Sequence, residues 1–101
     1  FPTCNIDIEN YVIAKPGVYA VKTRINDRRK FYKGIANLGY RPTFNQKKIL
    51  LEVNIFNFSG NLYNKKLSVE FLKFIRGEKK FKGISDLKNQ IKKDILKAKK
   101  T

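Results

Sequence analysis

The spacing of apolar residues changes once along this chain, just after Lys82, and that change limits the folds it can adopt. Upstream, hydrophobic and polar residues alternate in several short runs, the two-residue period of half-buried strands. Downstream, Ile84, Leu87, Ile91, Ile95 and Ala98 recur at steps of three and four, which puts all five on one stripe of a helix. Several antiparallel strands followed by one terminal helix is the pattern of a small β-barrel with a helix packed against it.

Val18 to Ile25 alternates cleanly, with Val18, Ala20, Lys22 and Arg24 on one face and Tyr19, Val21, Thr23 and Ile25 on the other. The polar stretch Asn26-Asp27-Arg28-Arg29 predicts a hairpin connection into a second strand from Lys30 to Asn37, because Asn and Asp tolerate turn dihedrals. Gly39 to Asn45 reads as a loop, since Pro42 has no ladder donor and Gly39 frees the backbone. A third strand is predicted from Ile49 to Phe58, with Leu50, Glu52, Asn54 and Phe56 sharing one face. Ser59-Gly60-Asn61 then turns the chain into a fourth strand, Leu67 to Ile75, in which Leu67, Val69, Phe71, Lys73 and Ile75 share a face. Residues 1–17 read as irregular and end in the turn Lys15-Pro16-Gly17. In the helix, Ser85 is the expected N-cap, with Asp86 near the positive end of the dipole and Lys97, Lys99 and Lys100 near the other.

At 101 residues the chain has room for one core. Its 42% hydrophobic and 13% aromatic content is enough to fold one, despite a net charge of +15. A single cysteine, Cys4, excludes an intrachain disulfide and a cysteine-based zinc cluster. The absence of histidine removes the usual general base and, with it, triad and zincin chemistry. No apolar run approaches the length of a membrane-spanning helix, and the start does not read as a signal peptide, so a soluble intracellular domain is expected. With no Met anywhere and Phe1 opening directly into Pro2-Thr3, the sequence reads as an excised domain.

The charge admits any polyanion as a partner. A small basic β-barrel that binds RNA or single-stranded DNA is therefore one reading, supported by the 5 Tyr and 8 Phe available for stacking. The other is solvated lysine decoration, densest across residues 79–101.

Neither a Walker A loop nor a G-x-G-x-x-G element is present. Glu52 is conspicuous within Ile49-Leu50-Leu51-Glu52-Val53-Asn54-Ile55-Phe56, where a carboxylate is costly unless it faces solvent or has a partner. It is either an outward position on a two-sided strand or a general base that takes a proton from an attacking hydroxyl. Thr3 and Asn5 place a hydroxyl and an amide two residues apart, on one side of an extended segment, where they serve either an ordinary turn or a hard cation with phosphate oxygens. Arg76 either makes a surface ion pair or belongs to a site.

Taken in order, these segments resemble the riboflavin kinase family, in its stand-alone form or as the C-terminal module of the bacterial bifunctional riboflavin kinase/FAD synthetase. The matching stretches are Phe1-Pro2-Thr3-Cys4-Asn5, Pro16-Gly17-Val18-Tyr19, Gly34 to Phe44, Glu52 with Ile55-Phe56, Leu62-Tyr63, Val69-Glu70-Phe71, Ile75-Arg76-Gly77-Glu78 and the terminal helix. The resemblance covers essentially the whole chain. It implies a mainly β fold, a six-stranded antiparallel Greek-key barrel with a C-terminal α-helix, with residues 1–101 forming the kinase domain without its N-terminal segment. It further implies ATP-dependent phosphorylation of riboflavin at the 5′-hydroxyl to give FMN, with Mg²⁺ as the metal unless Zn²⁺ or Mn²⁺ replaces it. By position, Glu52 would be the catalytic base, and Thr3 and Asn5 would hold the metal and the ATP phosphates. Asn37 would border the nucleotide, and Thr43, Phe44 and Arg76 would contact the flavin, with the segment after Arg76 forming part of a flap. The family setting implies a cytoplasmic enzyme, an N-terminal FAD synthetase module in the parent chain, and neither a membrane nor a nucleic acid as partner.

Overall fold

The structure, a computed structural model, describes residues 3–8, 15–26, 28–58, 60 and 65–101. Within them lie β1 (Thr3–Ile8), β2 (Gly17–Ile25), β3 (Phe31–Thr43), β4 (Gln46–Ile55), β5 (Leu67–Arg76) and α1 (Ile84–Lys99). The strands form one antiparallel sheet in the order β1-β4-β3-β2-β5. The mainly β architecture with a C-terminal helix is therefore as the sequence predicts.

Alternation decides which face each strand buries. On one face Tyr19, Val21, Ala36, Leu38, Leu51, Val53 and Ile55 form the main core, and Phe71 and Phe74 pack onto it. Each fully buried Val, Leu or Ile stabilises by about 1.5–3 kcal/mol relative to exposure. The Tyr19 ring stacks on Phe71 at 4.8 Å and meets the edge of Phe74 at 5.2 Å. Its hydroxyl donates to the Lys15 carbonyl at 2.6 Å, so the polar end of this buried ring is satisfied. On the outer face Ala20 and Phe56 receive Ala98 of α1, with Ile35, Ile75 and Ile95 around them.

The structure departs from the sequence reading at five places. Thr3–Ile8 is a strand rather than irregular chain, because Cys4, Ile6 and Ile8 alternate with polar residues and pair with β4 from Val53 to Ile49. The expected loop at Gly39–Asn45 is the second half of β3, closed by Phe44-Asn45 with Asn45 in the left-handed region at φ 70°. Pairing with β2 ends at Leu38, so among the described residues β3 has only β4 beside it from there, which leaves a side for the donor-less nitrogen of Pro42. β4 runs from Gln46 to Ile55 instead of Ile49 to Phe58, with Asn57 at φ 56° beginning the turn. In β5 the pairing to β2 slips between Tyr19 and Val18 and between Ala20 and Val21. These bulges bring Phe74 onto the core face beside Phe71 and send Ile75 toward the helix, against simple alternation. Finally, Gly83 rather than Ser85 is the N-cap: the helix already includes Ile84, and the Leu87 N–H bonds to the Gly83 carbonyl at 3.2 Å.

At Gly34 β3 lies close against β4, since a Cβ there would sit 2.6 Å from the Asn54 carbonyl oxygen. The expected turns at Asn26–Arg29 and Ser59–Asn61 fall in part outside the described residues. Among the described residues no helix is long and apolar enough to cross a membrane.

Candidate active site

Along the outer face of β4 the residues change character. Phe56, just past the strand, is buried with Ala98, but Asn54 and Glu52, farther back along it, line a hollow shared with Ile91 and Asp94 of the helix. Three adjoining hollows, of about 630, 210 and 170 Å³, open there and share Asn37. The largest lies between the 77–81 segment and α1, lined by Arg76, Lys79, Phe81, Leu87 and Ile91. The next runs under the helix past Ile35, Glu52, Asn54, Arg76 and Asp94. The third continues along the sheet past Tyr40, Leu50, Glu52 and Glu78.

Strand register assembles the central row. Glu52 on β4 stands directly opposite Asn5 on β1 and directly opposite Asn37 on β3. One step along, Asn54 faces Thr3 on β1 and Ile35 on β3. Thr3, Asn5, Asn37 and Glu52, scattered over fifty residues of sequence, thus occupy neighbouring positions on three strands. Arg76 ends β5 at the same hollows. Thr43 and Phe44 do not join them. Thr43 pairs with Gln46 at the far end of the β3–β4 ladder, and Phe44 is 94% exposed in the turn.

The structure adds a residue that the sequence reading passed over. Asp94 is 2% exposed although it lies on a lysine-rich helix. Its carboxylate accepts from Arg76 Nε at 3.1 and 2.9 Å, from Arg76 Nη2 at 2.9 Å and from Gln90 Nε2 at 3.0 Å. Arg76 Nη1 also donates to the Gly77 carbonyl at 3.0 Å. The signal was present in the spacing, since Asp94 follows Ile91 by three and precedes Ala98 by four, on the apolar stripe itself. Asn54, which the sequence places on one face with Glu52, has its Oδ1 buried without a hydrogen-bond partner among the described residues. Such an orphan costs about 1–3 kcal/mol, and it lines the hollow that holds Glu52.

An antiparallel β domain with a carboxylate, amides and a guanidinium around a helix-sheet cleft has the groups that a small-molecule site with acid–base chemistry would need. Comparison with known proteins makes this specific. A family model for riboflavin kinase matches residues 1–101. The chain is 48% identical over 99 residues to the bifunctional riboflavin kinase/FMN adenylyltransferase of Haemophilus influenzae, covering 98% of this chain and 32% of that protein. The protein of the same name in Bacillus subtilis is 43% identical over 98 residues, covering 93% of this chain and 30% of its own length. A crystal structure described as a macrolide-efflux protein from Streptococcus pneumoniae superposes with a TM-score of 0.83 at 32% identity, covering 97% of this chain and 32% of that one. The chain belongs to the riboflavin kinase family. It spans about a third of the length of the curated relatives it matches. Family membership favours the kinase reading over the nucleic-acid reading that the charge left open.

Proposed function

We propose that this chain transfers the γ-phosphoryl group of ATP to the 5′-hydroxyl of riboflavin, giving FMN and ADP. The observation that carries this reading is the strand register that sets Glu52 directly opposite both Asn5 and Asn37, beside a cleft in a riboflavin kinase family domain. A primary alcohol holds its proton far above neutral pH, so attack requires a base in hydrogen-bond reach. Glu52 takes that proton as the bond from the hydroxyl oxygen to the γ-phosphorus forms and the bond to the bridging oxygen of ADP breaks. The transition state is loose, so positioning and charge balance contribute most of the rate.

Thr3 and Asn5 would hold Mg²⁺ and the ATP phosphates. The chemistry of the donors fits, because Thr3, Asn5, Glu52 and Asn54 are oxygen-bearing residues at two directly opposed pairs of the β1–β4 ladder, and hard cations take oxygen. When bound, the metal would neutralise phosphate charge. Among the described residues no group of three or more His, Cys, Asp or Glu gathers elsewhere to compete for it. Asn37 borders the nucleotide, and Arg76 contacts the flavin beside Phe81, Leu87 and Ile91, which supply apolar surface for a planar ring. Roles for Thr43 and Phe44 require the two substrates, bound end to end, to run along β3 toward the hairpin.

Three wider assignments accompany this one. The sheet closes into the six-stranded Greek-key barrel of the family, with β1 and β5 at its present edges; amide exchange protection along the outer edges of those strands tests closure. Residues 1–101 form the kinase domain of a longer cytoplasmic protein with an adenylyltransferase module, in keeping with the names and lengths of the relatives; the mass of the native polypeptide tests that. The activity itself is tested by chromatographic detection of FMN from riboflavin and ATP. Phosphoryl transfer to a different alcohol, with none to riboflavin, would overturn the substrate assignment.

A further inference from the structure

The kinase reading gives Glu52 and its neighbours their roles but leaves the buried Asp94 without one. We infer that Asp94 and Gln90 are positioning residues that set the width of the flavin-side hollow by anchoring the 76–81 segment to α1. The ligand's identity rests on the kinase reading; the anchor rests on geometry alone.

Gln90 and Asp94 are four residues apart and so lie one above the other on the helix. They hold the segment at two points. Asp94 takes the Arg76 guanidinium through three contacts of 2.9–3.1 Å, and Gln90 Oε1 accepts from Lys79 Nζ at 3.4 Å. Gln90 also donates to Asp94, which joins the two points. Otherwise, among the described residues, the segment lies close to the sheet at Gly17, near Gly77, and at Gly39, near the Glu78 carboxylate. The chain from Gly77 to Phe81 belongs to no helix or strand, and a Cβ placed on Gly77 would meet nothing within 4 Å. The Phe81 ring lies 5.8 Å from the Arg76 guanidinium and 5.9 Å from Lys79 Nζ. It forms a wall of the hollow, and Leu87 and Ile91 of the helix form another. Moving the anchor therefore moves one wall relative to the other.

The pair also sets the electrical character of this wall. A guanidinium has five N–H donors, and the named contacts occupy three, leaving two for a ligand. Because Asp94 neutralises its charge, Arg76 offers hydrogen bonds without an unpaired cation, which suits the uncharged carbonyl edge of a flavin ring.

The test uses the full chain with Asp94→Asn, which keeps the shape and removes the charge. The riboflavin KM is expected to rise about tenfold, equivalent to about 1.4 kcal/mol, with kcat and the ATP KM within about twofold. Amide exchange at residues 77–81 is expected to accelerate. Gln90→Ala, at a half-buried position, guards against loss of folding and should raise the riboflavin KM by about two- to threefold in the same pattern. An unchanged riboflavin KM, a parallel rise in both KM values, or unchanged exchange at 77–81 in a folded variant overturns the inference. If the wild-type chain makes no FMN, the kinase reading fails, and the exchange measurement still decides the anchor.

Discussion

The Arg76–Asp94 pair allows a stability measurement whose outcome follows from burial. The Asp94 side chain is 3% exposed and that of Arg76 20%. Asp94→Leu removes the carboxylate and leaves a mostly buried guanidinium with only the Gly77 carbonyl as a named acceptor. Breaking a buried pair from one side costs about 3–5 kcal/mol. Water reaches part of Arg76, which places the expected loss near the lower end, about 3 kcal/mol. Replacing both residues, Arg76→Met with Asp94→Leu, removes the uncompensated charge along with its partner, and such exchanges are neutral or stabilising in many proteins. For a domain of about 100 residues, 1 kcal/mol corresponds to about 4–8 °C in Tm. Asp94→Leu should therefore melt about 12–24 °C below the wild type, and the double variant within about 5 °C of it. Thermal and urea unfolding of the wild type, Asp94→Leu, Arg76→Met and the double variant by circular dichroism gives the coupling energy directly. A loss below about 1 kcal/mol for Asp94→Leu, or a double variant as unstable as the sum of the singles, would refute the reasoning.

Two further outcomes follow from the core. Ile55→Ala, at a fully buried position on β4, should cost about 2–5 kcal/mol in urea unfolding, and a cost under about 1 kcal/mol would mean that Ile55 is not packed in the core as described. Burial, with Tyr40 adding to it, raises the Tyr19 phenol above its ordinary pKa. A raised pKa lends stability that is complete below about pH 10, the ordinary phenol value, and is lost as pH rises from there through the folded value. Tyr19→Phe should begin about 1 kcal/mol less stable, having lost the bond to Lys15, and should lose less between pH 10 and 11.5 than the wild type; parallel curves would remove the assignment.

Where one period governed a segment, the sequence was enough. β2 and the stripe of α1 lie within a residue or two of their predicted bounds, because each keeps a single period from end to end. This holds even though β2 is buried on both faces, with Tyr19 and Val21 in the main core and Ala20 under the helix. The far half of β3 was hidden by Gly39 and Pro42. Their tolerance depends on β2 stopping at Leu38, which no local pattern encodes. The faces of β5 near Phe74 and Ile75 were set by bulges against β2, a property of the pair of strands rather than of either. The site divides in the same way. Glu52 stood out as a charge in an apolar run, and its row with Asn5 and Asn37 needed strand register. Asp94 read as one more charge on a solvated helix, because its partner is 18 residues away at the end of another element.

The most direct test of the kinase mechanism is the rate of FMN formation by the wild type and by Glu52→Gln, with riboflavin, ATP and Mg²⁺ saturating and folding checked by circular dichroism. One ADP is expected per FMN, and the substitution should lower kcat by about 10²- to 10⁴-fold while leaving the fold intact. Turnover by Glu52→Gln within a few-fold of the wild type would contradict the assignment of Glu52 as the base.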